Sequence, residues 1–138
     1  MNFIENETAQ KLRGGYYTPS DLAIFLAHWI KEIGPRRVLE PSCGDGVFFQ
    51  ALATIDGFQE TDVLGFELEA NEAAKAETRA KALGLLGTIV FPEDFLGWAL
   101  DNMIAGDPFD AVLGNPPFVR YQYLPEPFQA RAEQVFKQ

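Results

Sequence analysis

Cysteine and histidine are almost missing from this sequence: Cys43 and His28 stand alone in a chain of 138 residues. One cysteine excludes a disulfide framework, and one histidine leaves little for a metal cage, so no metal is expected. Basic residues are scarce as well, 11 Lys and Arg against 20 Asp and Glu, for a net charge of −9. Taken alone, that balance argues against a nucleic-acid binder, because neutralising phosphates normally demands a basic face. A catalytic domain escapes the objection if another domain of the full protein grips the backbone. Long apolar runs are missing too. No stretch approaches the roughly 18 to 20 apolar residues of a membrane span. The opening residues MNFIENETAQKLRGG lack the apolar centre of a signal peptide. The expectation is a soluble, intracellular, cytoplasmic domain that does not engage a membrane.

What is present is ordinary for a globular chain: 47% hydrophobic and 22% charged residues, which excludes a disordered or collagen-like polymer. The length suits one domain with a real core and is short for two. Residues 1–15 are polar, end in Gly14-Gly15, and read as a flexible arm ahead of a domain over 16–138. Short β-branched runs then alternate with longer helical patterns, the signature of an α/β domain with a parallel sheet. Ser20 or Asp21 can cap a helix whose apolar positions are Leu22, Phe25, Leu26, Trp29 and Ile30, and Gly34-Pro35 stops it. Strands are expected at 37–39, 62–66, 88–91 and 109–113. Helices are expected at 47–55, 70–83, 95–104 and 126–137. Strand four is then an apolar edge with nothing beside it. Two expectations follow, a portion of a longer enzyme truncated after the fourth strand, and self-association through that exposed edge.

Three segments carry chemistry. The first, Glu40-Pro41-Ser42-Cys43-Gly44-Asp45-Gly46, lies between a strand and a helix, where glycines let backbone N–H groups approach a ligand. No Gly-Lys-Ser/Thr follows, so it is not a Walker A loop. Glu40 and Asp45 would repel a pyrophosphate and suit a ligand carrying an ammonium. A plain glycine turn with a solvated Asp is the competing reading. The second segment comprises Glu67, ending strand two where a carboxylate can accept from ribose hydroxyls, and Asp94-Phe95 after strand three. That pair offers an acceptor for an adenine amino group and an aromatic face for its ring. Three acids at the carboxyl ends of three successive strands point toward one crevice. The third and most specific is Asn115-Pro116-Pro117-Phe118 after strand four. Its prolines fix a rigid loop of carbonyl oxygens. The Asn115 amide oxygen and the Pro116 carbonyl can each accept a hydrogen bond from one exocyclic amino group. Phe118 gives a planar ring a face to stack on.

In this order the segments resemble the amino-group DNA methyltransferases that use S-adenosylmethionine, with the motif order of the gamma class. Gly15-Tyr16-Tyr17-Thr18-Pro19 resembles the family's N-terminal cofactor motif. Glu40 to Gly46 with Phe48 is similar to its cofactor loop, Glu67-Leu68 to its ribose-binding acid, and Asp94-Phe95 to its adenine-binding pair. Asn115 to Phe118 resembles the catalytic NPPY/F tetrapeptide, with Phe118 where tyrosine is commoner. Val119-Arg120-Tyr121-Gln122-Tyr123 looks like the type II and IIG restriction–modification branch. The resemblance implies a Rossmann-like methyltransferase fold, S-adenosylmethionine as cofactor, and methylation of the N6 amino group of adenine in DNA. Family members add three further strands and a separate DNA-recognition domain, and that domain would answer the charge objection. An adenine would be flipped out of the duplex and stacked on Phe118. Asn115 and Pro116 would hold its amino group, Glu40 would pair with the methionine ammonium, and Tyr17 and Thr18 would lie near the carboxylate end. Cys43 reads as a small loop residue rather than a nucleophile, and His28 as a partly buried helix residue. RNA-adenine and protein-glutamine methyltransferases are the alternative within enzymes. A cofactor-binding fragment without turnover is the alternative outside them.

Overall fold

The computed structural model describes residues 18–102 and 105–115 and, beyond them, 126, 127, 130, 133 and 134. Thr18–Asn115 forms one compact unit. Along it run α1 (Ser20–Lys31), β1 (Arg37–Glu40), α2 (Val47–Thr54), β2 (Asp62–Phe66), α3 (Ala70–Ala82), β3 (Thr88–Phe91), α4 (Phe95–Asn102) and β4 (Ala111–Val112). The α/β alternation read from the sequence is present element for element. The arm over 1–15 lies outside the described residues. Of the helix read at 126–137, the five described residues are helical.

All the strand pairs are parallel, in the order β3-β2-β1-β4. The chain steps outward from β1 to β3, then returns past β1 to set β4 on its far side. Right-handed crossovers put the connecting helices on one face while the chain moves one way, and on the other face once it turns back. The packing agrees. Val38, Val63, Val90 and Ala111 meet Ala23, Ala27 and Ile30 of α1, Phe48, Phe49 and Leu52 of α2, and Ala73, Ala76 and Ala80 of α3 in one buried cluster. On the opposite face the Phe66 ring lies 5.5, 5.4 and 5.0 Å from those of Phe91, Phe95 and Trp98. Rows of alternate residues thus feed two apolar layers, as the two-residue period of a strand requires.

Four readings need correction. α1 begins as expected, but neither Ser20 nor Asp21 caps it; Pro19 holds the N-cap in extended backbone, with no side-chain cap bond. Its buried face is Ala23, Ala27 and Ile30, with Leu26 half-buried, while Leu22, Phe25 and Trp29 are 48, 66 and 66% exposed. Alanines let α1 settle closely on α2, where bulkier side chains would hold the two helices apart. His28, read as partly buried, is exposed. β4 is shorter than 109–113 because its approach is engaged differently. The Phe109 ring lies 4.5 Å beneath the Arg37 guanidinium, and the Asp110 carboxylate accepts the Arg36 and Arg37 N–H groups at 2.8 and 3.0 Å. Those bonds, that of Arg37 foremost, hold the Asp110 carboxyl below its ordinary range. No helix among the described residues is long and apolar enough to cross a membrane.

Candidate functional site

An open parallel sheet presents a crevice at the carboxyl ends of its strands, at the point where the chain reverses direction. Here that point lies between β1 and β4, so the segments that flank it are residues 41–46 after β1 and 113–115 after β4. The ends of β2 and β3, with Glu67 and Asp94 just beyond them, open at the same edge of the sheet.

The segment after β1 is held from several sides. Cys43 N–H donates to the Phe66 carbonyl at 3.0 Å, and Gly46 N–H to the Cys43 carbonyl at 2.8 Å. Gly44 and Gly46 sit at φ +47° and +83°, the left-handed region where a side chain is strained, and Gly46 is the N-cap of α2. From α3, Arg79 Nη1 donates to the Asp45 carbonyl at 2.6 Å, a tie across 34 positions that no local pattern announces.

Glu40, the last residue of β1, is the unusual group. It is 2% exposed; Oε1 accepts the Ser42 N–H at 2.8 Å, whereas Oε2 is buried without a partner. The Ser42 hydroxyl oxygen is buried and unpartnered as well. Burial pushes the Glu40 carboxyl up to about 8, against the opposing pull of the Ser42 backbone N–H and, after it, the neighbouring Ser42 side chain. A Cβ on Gly114 would stand 2.6 Å from Glu40 Oε1, so the chain leaving β4 passes directly against this carboxyl. Cys43 is buried, and its thiol is pushed up to about 12, by burial first and then by the negative charges of Glu40 and Glu67. A thiol so strongly protonated is a poor nucleophile, in keeping with its reading as a small loop residue.

The remaining expected positions sort by surroundings. Pro41 and Ser42 are half-buried, and Gly44 and Asp45 exposed. Phe48 is buried in the core beneath the loop rather than open to a ligand, and Leu68 is exposed. Glu67 is half-buried; its N–H donates to the Phe91 carbonyl at 3.1 Å, and its Oε1 accepts the Glu69 N–H at 3.4 Å. Asp94 Oδ2 accepts the Gly97 N–H at 2.9 Å, capping α4, and the Phe95 ring belongs to the aromatic layer with Phe66 and Trp98. Asn115 is exposed, and its Nδ2 donates to Thr18 Oγ1 at 3.2 Å. Tyr17, Pro116, Pro117 and Phe118 lie outside the described residues. Two residues that sequence patterns do not flag, Arg79 and Gly114, therefore belong to the site, and Thr18, expected near the cofactor, also meets Asn115. A cavity of about 150 Å³ lined by Arg37, Trp98, Asn102 and Phe109 sits at the other, amino-terminal end of β1 and β4. Among the described residues no group of three or more His, Cys, Asp or Glu could hold a metal ion.

Comparison with known proteins adds four findings. The family model of N-6 DNA methylases matches residues 2–137. The chain is 29% identical over 136 residues to the type II methyltransferase M.BanIII of Aneurinibacillus aneurinilyticus, covering 83% of this chain and 23% of that protein. It is 26% identical over 105 residues to the type II methyltransferase M.CvrRI of Paramecium bursaria Chlorella virus XZ-6E, covering 76% of this chain and 24% of that protein. Among solved structures, a chain described as a modification subunit of a type I restriction enzyme from Vibrio vulnificus YJ016 superposes with a TM-score of 0.57 at 25% identity, over 91% of this chain and 30% of that one. This chain thus spans about a quarter of the length of the curated relatives it matches.

Proposed function

The chain belongs to the N-6 DNA methylase family, and from that premise we propose that it forms the cofactor-binding and catalytic part of an enzyme that methylates the N6 amino group of adenine in DNA. S-adenosylmethionine is the proposed cofactor, and it supplies an electrophilic methyl group on a sulfonium. The observation that carries the reading is Glu40. A fully buried carboxyl with an unpartnered oxygen, at the end of β1 and against the backbone of Gly114, suits a ligand that brings an ammonium to this crevice.

On this reading Glu40 receives the ammonium of the methionine portion, and residues 41–46 line it, with Arg79 holding the Asp45 carbonyl in place. Glu67 accepts from the ribose hydroxyls. Asp94 and Phe95 border the adenine, and Tyr17 and Thr18 the carboxylate. Asn115 and Pro116 accept from the target amino group and so aim its nitrogen lone pair at the methyl, while Phe118 stacks on the target base. Direct displacement asks for positioning and a favourable field more than for a strong base. Residues 16–138 act in this scheme as the N-terminal portion of a catalytic domain working in the cytoplasm. With a net charge of −9, the grip on DNA is assigned to other parts of the complete protein.

Calorimetry with S-adenosylmethionine, followed by labelled-methyl transfer in the complete protein to DNA, RNA and a release-factor-like protein, tests the reading. Binding of the cofactor and transfer to DNA alone are expected. Transfer to RNA or protein would replace the substrate, and binding without transfer to any of the three would leave a cofactor-binding module. Asn115→Ala is expected to abolish transfer while cofactor affinity stays within about threefold, since its amide addresses the target amine.

A further inference from the structure

Thr18 and Asn115 stand 97 positions apart and meet at the switch point of the sheet, where Asn115 Nδ2 donates to Thr18 Oγ1 at 3.2 Å. Each sits on a fixed mount. Thr18 precedes Pro19, the N-cap of α1, whose carbonyl accepts the Ala23 N–H at 3.1 Å, and Ala23 is fully buried. Asn115 follows Leu113, whose N–H donates to the Leu39 carbonyl at 2.9 Å, and Gly114, which lies against Glu40.

The contact matters because the two ends of an asparagine amide have opposite character. Oδ1 only accepts and Nδ2 only donates, and a half-turn of the side chain exchanges them. An exposed asparagine with no partner samples both, and half of that population presents a donor to an amine that needs an acceptor. We infer that Thr18 is a positioning residue for Asn115: its hydroxyl engages the amide NH₂, so that Oδ1 is the end offered to the target amino group. A hydroxyl that accepts from the amide keeps its own hydrogen to donate elsewhere. This inference rests on the proposed role of Asn115, and it separates Thr18 from a residue that serves cofactor affinity alone.

The test compares Thr18→Val, which removes the hydroxyl and keeps the shape, with Thr18→Ser, which keeps the hydroxyl, in the complete protein. Thr18→Val should lower kcat at saturating cofactor by about tenfold or more, and Thr18→Ser should restore kcat to within about threefold of the original. In NMR spectra of the chain without substrate, the Asn115 side-chain NH₂ pair should move toward the shifts of a solvated amide in the Val variant and stay in place in the Ser variant. An unchanged kcat in Thr18→Val beside an inactive Asn115→Ala overturns the inference. So does a raised cofactor KM at constant kcat, and so does an Asn115 amide signal indifferent to the Val change. Full activity of Asn115→Ala would instead remove the reading of Asn115 itself, and this inference with it.

Discussion

Glu40 shows at the scale of one residue how a site and a fold pull in different directions. A buried carboxyl with one hydrogen bond keeps its proton to about pH 8, where an ordinary glutamic acid has lost it near 4.5. The folded state therefore binds this proton more tightly than the unfolded chain. Its contribution to stability is complete below about pH 4.5 and is lost as the pH climbs through 8. Glu40→Gln keeps the size and removes the titration. Its stability should change less than that of the original chain between pH 6 and 9, and at pH 9 it should be the more stable by on the order of a few kcal/mol. Urea unfolding of both proteins at the two pH values measures this, and parallel pH dependences would refute the burial argument. Glutamate in this place was legible from the sequence as an acid ahead of a glycine turn. Its proton was not, because protonation depends on burial, with the chain at Gly114 passing directly against the carboxyl.

At the scale of elements, the spans were legible because their causes are local. Thr88–Phe91 is a β-branched and aromatic run, and the Ala, Glu and Lys of 70–82 favour a helix wherever they lie. Which face of a helix turns inward is a different matter, decided by the surface it meets. In α1 the large apolar residues predict one face, and the alanines occupy the other, because closeness to α2 decides. Likewise Phe48 follows a loop motif in sequence, yet its ring belongs to the core that supports the loop. The same closeness shows in β2. A Cβ on Gly65 would stand 2.7 Å from Phe49 Cζ and 3.3 Å from Val90 Cγ2, so α2 rests on the sheet with no room for a methyl group. Gly65→Ala should destabilise the fold by about 1–3 kcal/mol, seen as a lower denaturation midpoint. A neutral result would mean that the Phe49 ring can withdraw.

For the whole molecule, the two edges of the sheet are treated differently. Over β3, Glu77 from α3 accepts the Val90 N–H at 2.9 Å, and Lys81 lies 3.7 Å from the same carboxylate, so a charged side chain occupies that edge. Among the described residues β4 is paired on its β1 side only, and Val112 upon it is 61% exposed. An open edge beside exposed apolar residues invites another strand. Leu22, Phe25 and Trp29 of α1, with Ile33 just past its end, form a second apolar strip, each 48–66% exposed. Against both stands the net charge of −9, whose repulsion between copies weakens as salt is added. The chain should therefore self-associate, more at about 0.5 M salt than at low ionic strength, in light scattering across a concentration series. If β4 is the contact, Val112→Lys should shift the population toward monomer, because a lysine on an edge disfavours pairing, while Trp29→Glu leaves it unchanged. The reverse pattern would move the contact to α1, and a monomer at every salt and concentration would show that the edge is closed in solution.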